Sequence, residues 1–200
     1  DNIISGKSGI STISRFDPSG LPTRIASEVK DFDPLEYIEK KQLKRMDLSQ
    51  QYAVVASGKA ISDSGIDLDS ADLERAGVVI GSGIGGLSTF EKQHTIMLRQ
   101  SPLKVSPFFI PMMIADMSSG LVSIRFGFKG PNYATVSACA SSSHAIADAV
   151  MIIQRGSADI MVAGGSEASV TLTALAGFCS AKALSERNDE PERASRPFDK

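Results

Sequence analysis

The sequence lacks any apolar run that approaches the roughly 20 residues a membrane-spanning helix needs. It also lacks the positively charged and then apolar leader of a secretory signal peptide. We therefore expect no membrane partner and a cytoplasmic location, with a plastid or mitochondrial one left open. The first residue is Asp1 and not Met, so we expect the chain to begin partway into a longer protein.

Cysteine and net charge are also scarce. The two cysteines, Cys139 and Cys179, form no CxxC pair and belong to no His/Cys cluster, so neither a disulfide framework nor a metal site is predicted. The net charge of −2 gives no global electrostatic argument for nucleic acid or a membrane surface. With 42% hydrophobic and 22% charged residues, the composition is that of a soluble globular domain, and nothing in it indicates a cofactor.

Short apolar runs alternate with segments of helical length. Residues 77–80 and 158–163 predict buried strands, and residues 24–29 predict an edge strand. Residues 47–64 predict a helix that ends at Gly65. Strands alternating with buried helices predict an α/β domain in which helices cover a mixed sheet.

Four more helices are predicted, and one of them is unusually apolar. Residues 33–45 begin with an Asp-Pro start signal, and residues 112–128 and 170–184 also have helical patterns. The segment AIADAVMII, which follows Cys139 and ends before Gly156, is apolar nearly all round. A helix of that kind is predicted to be buried on most sides.

The predicted helix over residues 33–45 carries a basic cluster. Its four cations share one helical face because they are spaced i, i+1, i+4 and i+5. They are Lys40, Lys41, Lys44 and Arg45. Such a cluster is usually a solvated surface, and the alternative is a docking patch for an acidic partner.

The motif GSGIGGL follows the strand predicted over residues 77–80. Gly81, Gly83 and Gly86 formally satisfy GxGxxG, but no Asp or Glu occurs between Glu91 and Asp116, where a dinucleotide site needs one for the ribose. We therefore favour close backbone packing beside an active site, for which only glycine leaves room.

Cys139 stands where a β-like run gives way to the apolar helix, and only small residues surround it. The N–H groups and dipole of a helix N-terminus favour the thiolate form, so a thiol placed there could act as a nucleophile. The alternative is a buried core thiol, because most free cysteines are buried. The local pattern leaves both interpretations open.

Five segments together resemble one family. They are VVIGSGIGGL, SPFFIP, VSACASSSHAIADA, DIMVAGGSEA and ALSERNDEPERASRPFDK. In this order they resemble the β-ketoacyl-[acyl-carrier-protein] synthases, the type II condensing enzymes of fatty acid synthesis, from about residue 6 to residue 200. The resemblance implies a thiolase-like fold with α-β-α-β-α layers, of which residues 1–200 form mainly the N-terminal of two similar halves.

The resemblance also implies a transferase reaction that needs no cofactor. Cys139 is expected to take an acyl group from acyl carrier protein as a thioester, and its backbone N–H to supply half of an oxyanion hole. Malonyl carrier protein then loses CO₂, and the carbanion attacks the thioester in a decarboxylative Claisen condensation that adds two carbons.

Further roles follow from the resemblance for residues that match the family's acyl pocket and gate, its two-fold dimer interface and its carrier-protein docking surface. Ile84, Ala138 and Phe178 match the acyl pocket and gate. Phe109, Met113 and Thr135 match the dimer interface. Lys41, Lys44 and Arg45 match the docking surface. His144 matches no catalytic histidine of the family and is expected to be a packed helix residue. Ala174 stands where relatives often have glycine, which leaves the preferred chain length open.

The sequence departs from the family pattern in two respects. The leading strand that the family has ahead of the position of Asp1 is absent. The two catalytic histidines, the catalytic lysine and the segment that gives the other oxyanion N–H lie in a second half absent from these 200 residues. The chain alone is therefore expected to be inactive in condensation. The alternatives are a polyketide-type ketosynthase, a thiolase-like acyltransferase that uses coenzyme A, and a non-catalytic chain-length-determining subunit; such subunits usually lack the cysteine, so Cys139 argues against the last.

Overall fold

The structure, a computed structural model, describes residues 2–199, which divide between two compact units. Residues 33–168 form the larger unit, and the described residues among 1–32 and 169–200 form the smaller one. Asp1 and Lys200, the ends of the domain predicted over residues 1–200, lie outside the described residues. In chain order the strands and helices are β1 (Ile10–Thr12), β2 (Ile25–Ser27), α1 (Lys40–Leu43), α2 (Leu48–Ser64), β3 (Ala76–Gly81), α3 (Leu87–Arg99), α4 (Phe109–Met113), α5 (Met117–Phe126), β4 (Asn132–Tyr133), α6 (Ser141–Gln154), β5 (Ile160–Gly165) and α7 (Leu172–Ser180).

A three-stranded parallel sheet, in the order β4-β3-β5, forms the centre of the larger unit. Val79 of β3 pairs with Tyr133 of β4 and with Ala163 of β5. All six residues of β3 are buried, which confirms the strand predicted over residues 77–80. The strand predicted over residues 158–163 is β5, which starts two residues later, at Ile160, and ends two residues later, at Gly165.

Helix α6 packs on β3 and β5 with one face only. Ala145, Ala149 and Ile152 are buried on that face, and the small alanines allow a close approach to the sheet. The prediction that this helix is buried on most sides is wrong. Its other apolar side chains are 44–54% exposed, because no described element of this unit covers the side of α6 turned away from the sheet; they are Ile146, Val150, Met151 and Ile153.

Helix α2 has the ends that its sequence predicts. Asp47 caps the first turn in a capping box with Gln50, and Gly65 ends the helix in the left-handed region at φ 68°. The helix packs against α5, which in turn contacts β3. Ser119 of α5 joins the sheet directly, since its hydroxyl accepts a hydrogen bond from Ile80 N–H and donates one to Tyr133 C=O, both at 2.8 Å.

In the larger unit, two predicted helices are shortened or interrupted. In residues 33–45 only α1 is helical: Asp33 and Pro34 close a single turn, and Glu39, which is extended at ψ 141°, separates that turn from α1. The helix predicted over residues 112–128 is interrupted at residues 114–116. The interruption has a long-range cause: the Met113 carbonyl accepts a hydrogen bond from Gly86 N–H at 2.9 Å.

The smaller unit contains the antiparallel pair β1 and β2, of which only β2 was predicted, and helix α7. Thr171 caps α7, which is shorter than the helix predicted over residues 170–184. The Asn188 side chain accepts a hydrogen bond from Arg24 N–H and donates one to Pro22 C=O. The α/β class is confirmed, with one refinement: in the described part of the chain, parallel and antiparallel pairs lie in separate sheets.

Candidate functional site

Cys139 is the middle residue of a 3₁₀ turn, Ala138–Ala140, that lies between β4 and α6. We call residues 137–140 the cysteine turn. The thiol is exposed, so Cys139 is not the buried core cysteine of the alternative interpretation. The predicted placement at a strand-to-helix junction is what the structure shows.

The cysteine turn contains a residue in an unfavourable backbone conformation. Ala138 has φ 51°, in the left-handed region that costs an L-residue roughly 1–2 kcal/mol. Buried Ser141 holds this conformation, because its hydroxyl donates to the Ala138 carbonyl at 2.8 Å and accepts from the Ser137 N–H at 2.9 Å. The Thr135 hydroxyl donates to the Ser141 carbonyl at 2.7 Å.

The backbone N–H of Cys139 has no acceptor among the described residues. The neighbouring amides are bound within the turn, Ala140 N–H to Ser137 C=O and Ser141 N–H to Ala138 C=O. The first N–H groups of a helical turn have no intrahelical partner and can bind negative charge. The Cys139 N–H is therefore available beside its own thiol.

His144 contacts the cysteine turn from α6. Its Nδ1 lies 2.6 Å from Ser137 Oγ, within hydrogen-bond distance, and its side chain is exposed. The prediction of a packed helix residue is therefore wrong: the ring faces the turn and not the core. Sequence reasoning also missed Ser137 and Ser141, although a run of small polar residues before a helix is typical of hydroxyl capping.

A second loop, residues 82–86, follows β3 and leads into α3; we call it the glycine loop. The Glu167 carboxylate accepts hydrogen bonds from Gly83 N–H at 2.8 Å and from Ile84 N–H at 2.9 Å. These amides are thus bound by a protein carboxylate, which also argues against a dinucleotide phosphate there. A side chain on Gly85 or Gly86 would meet the backbone of residues 112–115, so the predicted close packing is confirmed.

The two loops are neighbours. A Cβ on Gly83 would lie 3.6 Å from the Ala138 carbonyl oxygen, and a Cβ on Gly81 would collide with the backbone of Ser141. Three of the predicted site residues, Ile84, Ala138 and Cys139, therefore lie together. Phe178 lies on α7 of the smaller unit and is 46% exposed.

The residues predicted for a dimer interface lie around the edge strand β4 and helix α4. Thr135 follows β4, and its hydroxyl is bound within the chain to Ser141. Phe109 is half-buried at the start of α4, with its ring 6.3 Å from that of Phe90. Met113 is half-buried at the end of the same helix.

The predicted docking residues Lys41, Lys44 and Arg45 are all exposed. The prediction that the basic cluster shares one helical face is wrong, because α1 ends at Leu43 and leaves Lys44 and Arg45 in the turn that follows it. The Arg45 guanidinium lies 4.4 Å from the centre of the Phe108 ring, a cation–π distance.

The described residues, 2–199, offer neither a metal-binding cluster nor a membrane-spanning helix. They contain no group of three or more His, Cys, Asp or Glu side chains that could hold a metal ion. None of their helices is both long enough and apolar enough to cross a membrane.

Comparisons with known proteins agree on one family. The family model "Beta-ketoacyl synthase, N-terminal domain" matches residues 1–200. The chain is 50% identical over 198 residues to 3-oxoacyl-[acyl-carrier-protein] synthase 2 of Synechocystis sp.. It is 46% identical to the protein of that name from Coxiella burnetii. Both alignments cover 99% of the chain and 48% of the relative, so the chain spans about half the length of the relatives it matches.

Solved structures give the same picture. A β-ketoacyl synthase from Burkholderia phymatum aligns with a TM-score of 0.83 at 32% identity and covers 98% of the chain and 48% of its own length. The ishigamide ketosynthase/chain length factor aligns with a TM-score of 0.81 at 27% identity and covers 90% of the chain and 45% of its own length. The predicted thiolase-like fold of condensing enzymes is therefore confirmed.

Proposed function

The chain belongs to the β-ketoacyl synthase family, and from that membership we propose that the protein is a 3-oxoacyl-[acyl-carrier-protein] synthase of the cytoplasm. It transfers an acyl group to Cys139 and condenses the resulting thioester with malonyl carrier protein. Relatives named 3-oxoacyl-[acyl-carrier-protein] synthase 2 and the presence of Cys139 support this over the polyketide and non-catalytic alternatives.

One observation supports the acyl-transfer step. Cys139 is exposed on a strained turn, and its own backbone N–H has no hydrogen-bond acceptor among the described residues. The thiolate attacks the carbonyl carbon of an acyl thioester, and the carbonyl oxygen gains negative charge. The Cys139 N–H donates to that oxygen. When the tetrahedral intermediate collapses, the new Cys139 thioester remains, and the carrier thiol leaves with the proton that Cys139 gave up.

We propose that residues 1–200 form the N-terminal domain of a two-half enzyme. The second half supplies the catalytic histidines and the other oxyanion N–H, so the 200-residue chain alone lacks condensation activity. The half-exposed apolar face of α6 supports this arrangement, because such a face is stabilised by packing against another domain. The relatives, about twice as long, support it independently.

We also propose that Ile84 and Ala138 border the acyl pocket, with Ile84 as its gate. The role that the resemblance implies for Phe178 stays a prediction. A 48% exposed isoleucine on a loop that adjoins Ala138 is suited to that role. The dimer proposal uses Phe109, Met113 and Thr135: β4 is at the edge of its sheet, where a second copy could add its own β4.

Substitution of Cys139 tests the central proposal. In the full-length protein, Cys139→Ala should abolish both acyl transfer and malonyl-dependent elongation, because no thiolate remains to form the thioester. Iodoacetamide or cerulenin should add mass to the peptide that contains Cys139 in the parent and not in the variant. Cys179→Ala, which removes the other cysteine, is the matched control and should retain both activities. Elongation by Cys139→Ala at the parent rate would overturn the assignment.

Charge reversal tests the proposal that Lys41, Lys44 and Arg45 dock acidic carrier protein. Lys41→Glu with Lys44→Glu should raise the KM for the carrier-bound substrate several-fold, more at low salt, because the attraction is electrostatic. The rate at which iodoacetamide labels Cys139 should stay unchanged. A fall in labelling would instead mean that these lysines support the fold.

A further inference from the structure

A cleft of about 280 Å³ opens in the larger unit, away from the cysteine turn. Its walls come from the segment before α2, from α2 itself and from the last turns of α5. The lining residues are Tyr37, Ile38, Gln42, Arg45, Met46, Val54, Leu121, Ile124 and Arg125. The chemistry of Cys139 uses no residue of this cleft, and the proposed carrier surface shares only Arg45 with it.

The floor of the cleft is apolar and fixed. Ile38, Met46 and Val54 are 2%, 7% and 3% exposed, so their positions are set by packing. The Tyr37 ring forms one wall and lies against Gly58 of α2, where any Cβ would collide with the ring. The shape of the cleft thus depends on a glycine that is not itself part of the lining.

The rim of the cleft is positive. Arg45 and Arg125 both contribute to the lining, and no acidic residue does. Among the described residues Arg125 has no carboxylate partner, whereas Arg75 and Arg187 bind Asp159 and Glu190. Arg125 therefore keeps a guanidinium group available for a ligand.

We propose that this cleft binds a small amphiphilic anion. Its apolar body would lie on Ile38, Met46 and Val54, and its carboxylate or phosphate would be bound by Arg45 and Arg125. A guanidinium group donates two parallel hydrogen bonds to either head group. Ligand pockets of proteins are usually apolar with a few placed polar groups, and about 280 Å³ lies near the lower end of their volumes, so the ligand must be short.

Titration calorimetry on the full-length protein tests this proposal, with octanoate, octyl phosphate and octanol as probes. Cys139 is first alkylated, so that binding beside the nucleophile does not contribute. We expect both anions to bind at least about tenfold more tightly than octanol, since charge-assisted hydrogen bonds supply the difference. The tighter of the two anions identifies the preferred head group, carboxylate or phosphate.

Two variants and a control locate the site. Arg125→Gln should weaken anion binding about tenfold and leave octanol binding unchanged. Arg99→Gln removes an arginine from the last turn of another helix, α3, and should change nothing. Gly58→Ala, which displaces the Tyr37 ring without changing any charge, should lower the binding affinity of all three probes. Equal affinity for octanol and the anions, no detectable binding of the anions, or an equal effect of Arg99→Gln would each overturn the proposal.

Discussion

The glycine loop and the cysteine turn follow adjacent parallel strands at the same end of the sheet, but they are stabilised in opposite ways. In the glycine loop the amides of Gly83 and Ile84 donate to Glu167. In the cysteine turn side-chain hydroxyls hold the backbone in a strained conformation, and the Cys139 amide has no acceptor among the described residues.

The two loops therefore have different roles at this end of the sheet. The glycine loop is a rigid support, and the cysteine turn presents the reactive group. The first N–H groups of a helical turn can bind negative charge, so an N–H without a described acceptor beside an exposed thiol is a functional signal. The bound amides of the glycine loop carry no such signal. Its glycines serve close packing: Gly86 approaches the backbone of Met112, and Gly81 that of Ser141.

The largest effect is expected from Gly86→Ala, which attacks the rigid loop. The new Cβ would collide with the Met112 carbonyl, a backbone atom that cannot rotate away. We expect the free energy of unfolding to fall by about 4 kcal/mol or more, measured by urea denaturation. Gly120→Ala on α5 is the control, because its Cβ would meet only Met117 Sδ at 3.7 Å. If both variants were equally stable, the packing argument would be wrong.

A smaller effect is expected from Glu167→Ala, which removes the shared acceptor of the glycine loop. We expect a loss of about 1–2 kcal/mol, since water can replace part of a hydrogen bond at an exposed position. Hydrogen exchange at Gly83 and Ile84 should become faster in the variant. In the parent protein the Cys139 amide should already exchange faster than these two. Slow exchange at Cys139 would remove the distinction between the loops.

His144→Ala should have a milder effect on the cysteine turn. Loss of the contact with Ser137 Oγ, worth about 1 kcal/mol, should slow alkylation of Cys139 a few-fold and lower the melting temperature by only about 2–4 °C. Ser143→Ala, one residue before it on the same exposed stretch of α6, is the control. An unchanged alkylation rate in His144→Ala would show that the ring does not position the turn.

The smallest effect is expected at the other end of the sheet, where Arg75 binds Asp159. The Arg75 guanidinium lowers the pKa of Asp159 below its usual 3.8. Because the folded-state pKa is the lower one, the stabilisation is present above about pH 3.8 and is lost as the pH falls through the folded-state pKa. Asp159→Asn should remove this slight acid dependence from thermal melts and leave Cys139 alkylation unchanged. A changed alkylation rate would contradict this expectation and show that the Arg75–Asp159 pair influences Cys139 at the other end of the sheet.

Local patterns predicted the features that depend on local physics. The end of α2 at Gly65, the buried strand β3 and the position of Cys139 before a helix all follow from neighbouring residues. Two features depend on distant contacts and were missed. The break between α4 and α5 depends on the bond from Gly86 to Met113, and the shared role of Glu167 depends on a contact about 80 residues away in sequence.

The error on α6 has a different origin. An apolar segment predicts that its faces are buried, but it does not indicate whether the residues that cover those faces lie within residues 1–200. Ala145 and Ile152 face the sheet as expected, while Ile146 and Val150 are about half exposed. The length and apolar character of the segment identified the helix, but they could not identify what lies on its far side.

The backbone of Ala138 also limits how this site can change by mutation. A position with φ 51° is compatible with glycine and tolerates asparagine, whereas valine or isoleucine would be strongly disfavoured there. If position 138 borders the acyl pocket, evolution cannot narrow that pocket by a branched side chain there without losing the turn that presents the thiol. Selection for shorter acyl substrates must then act at other positions, such as Ile84, whose backbone is not in the left-handed region.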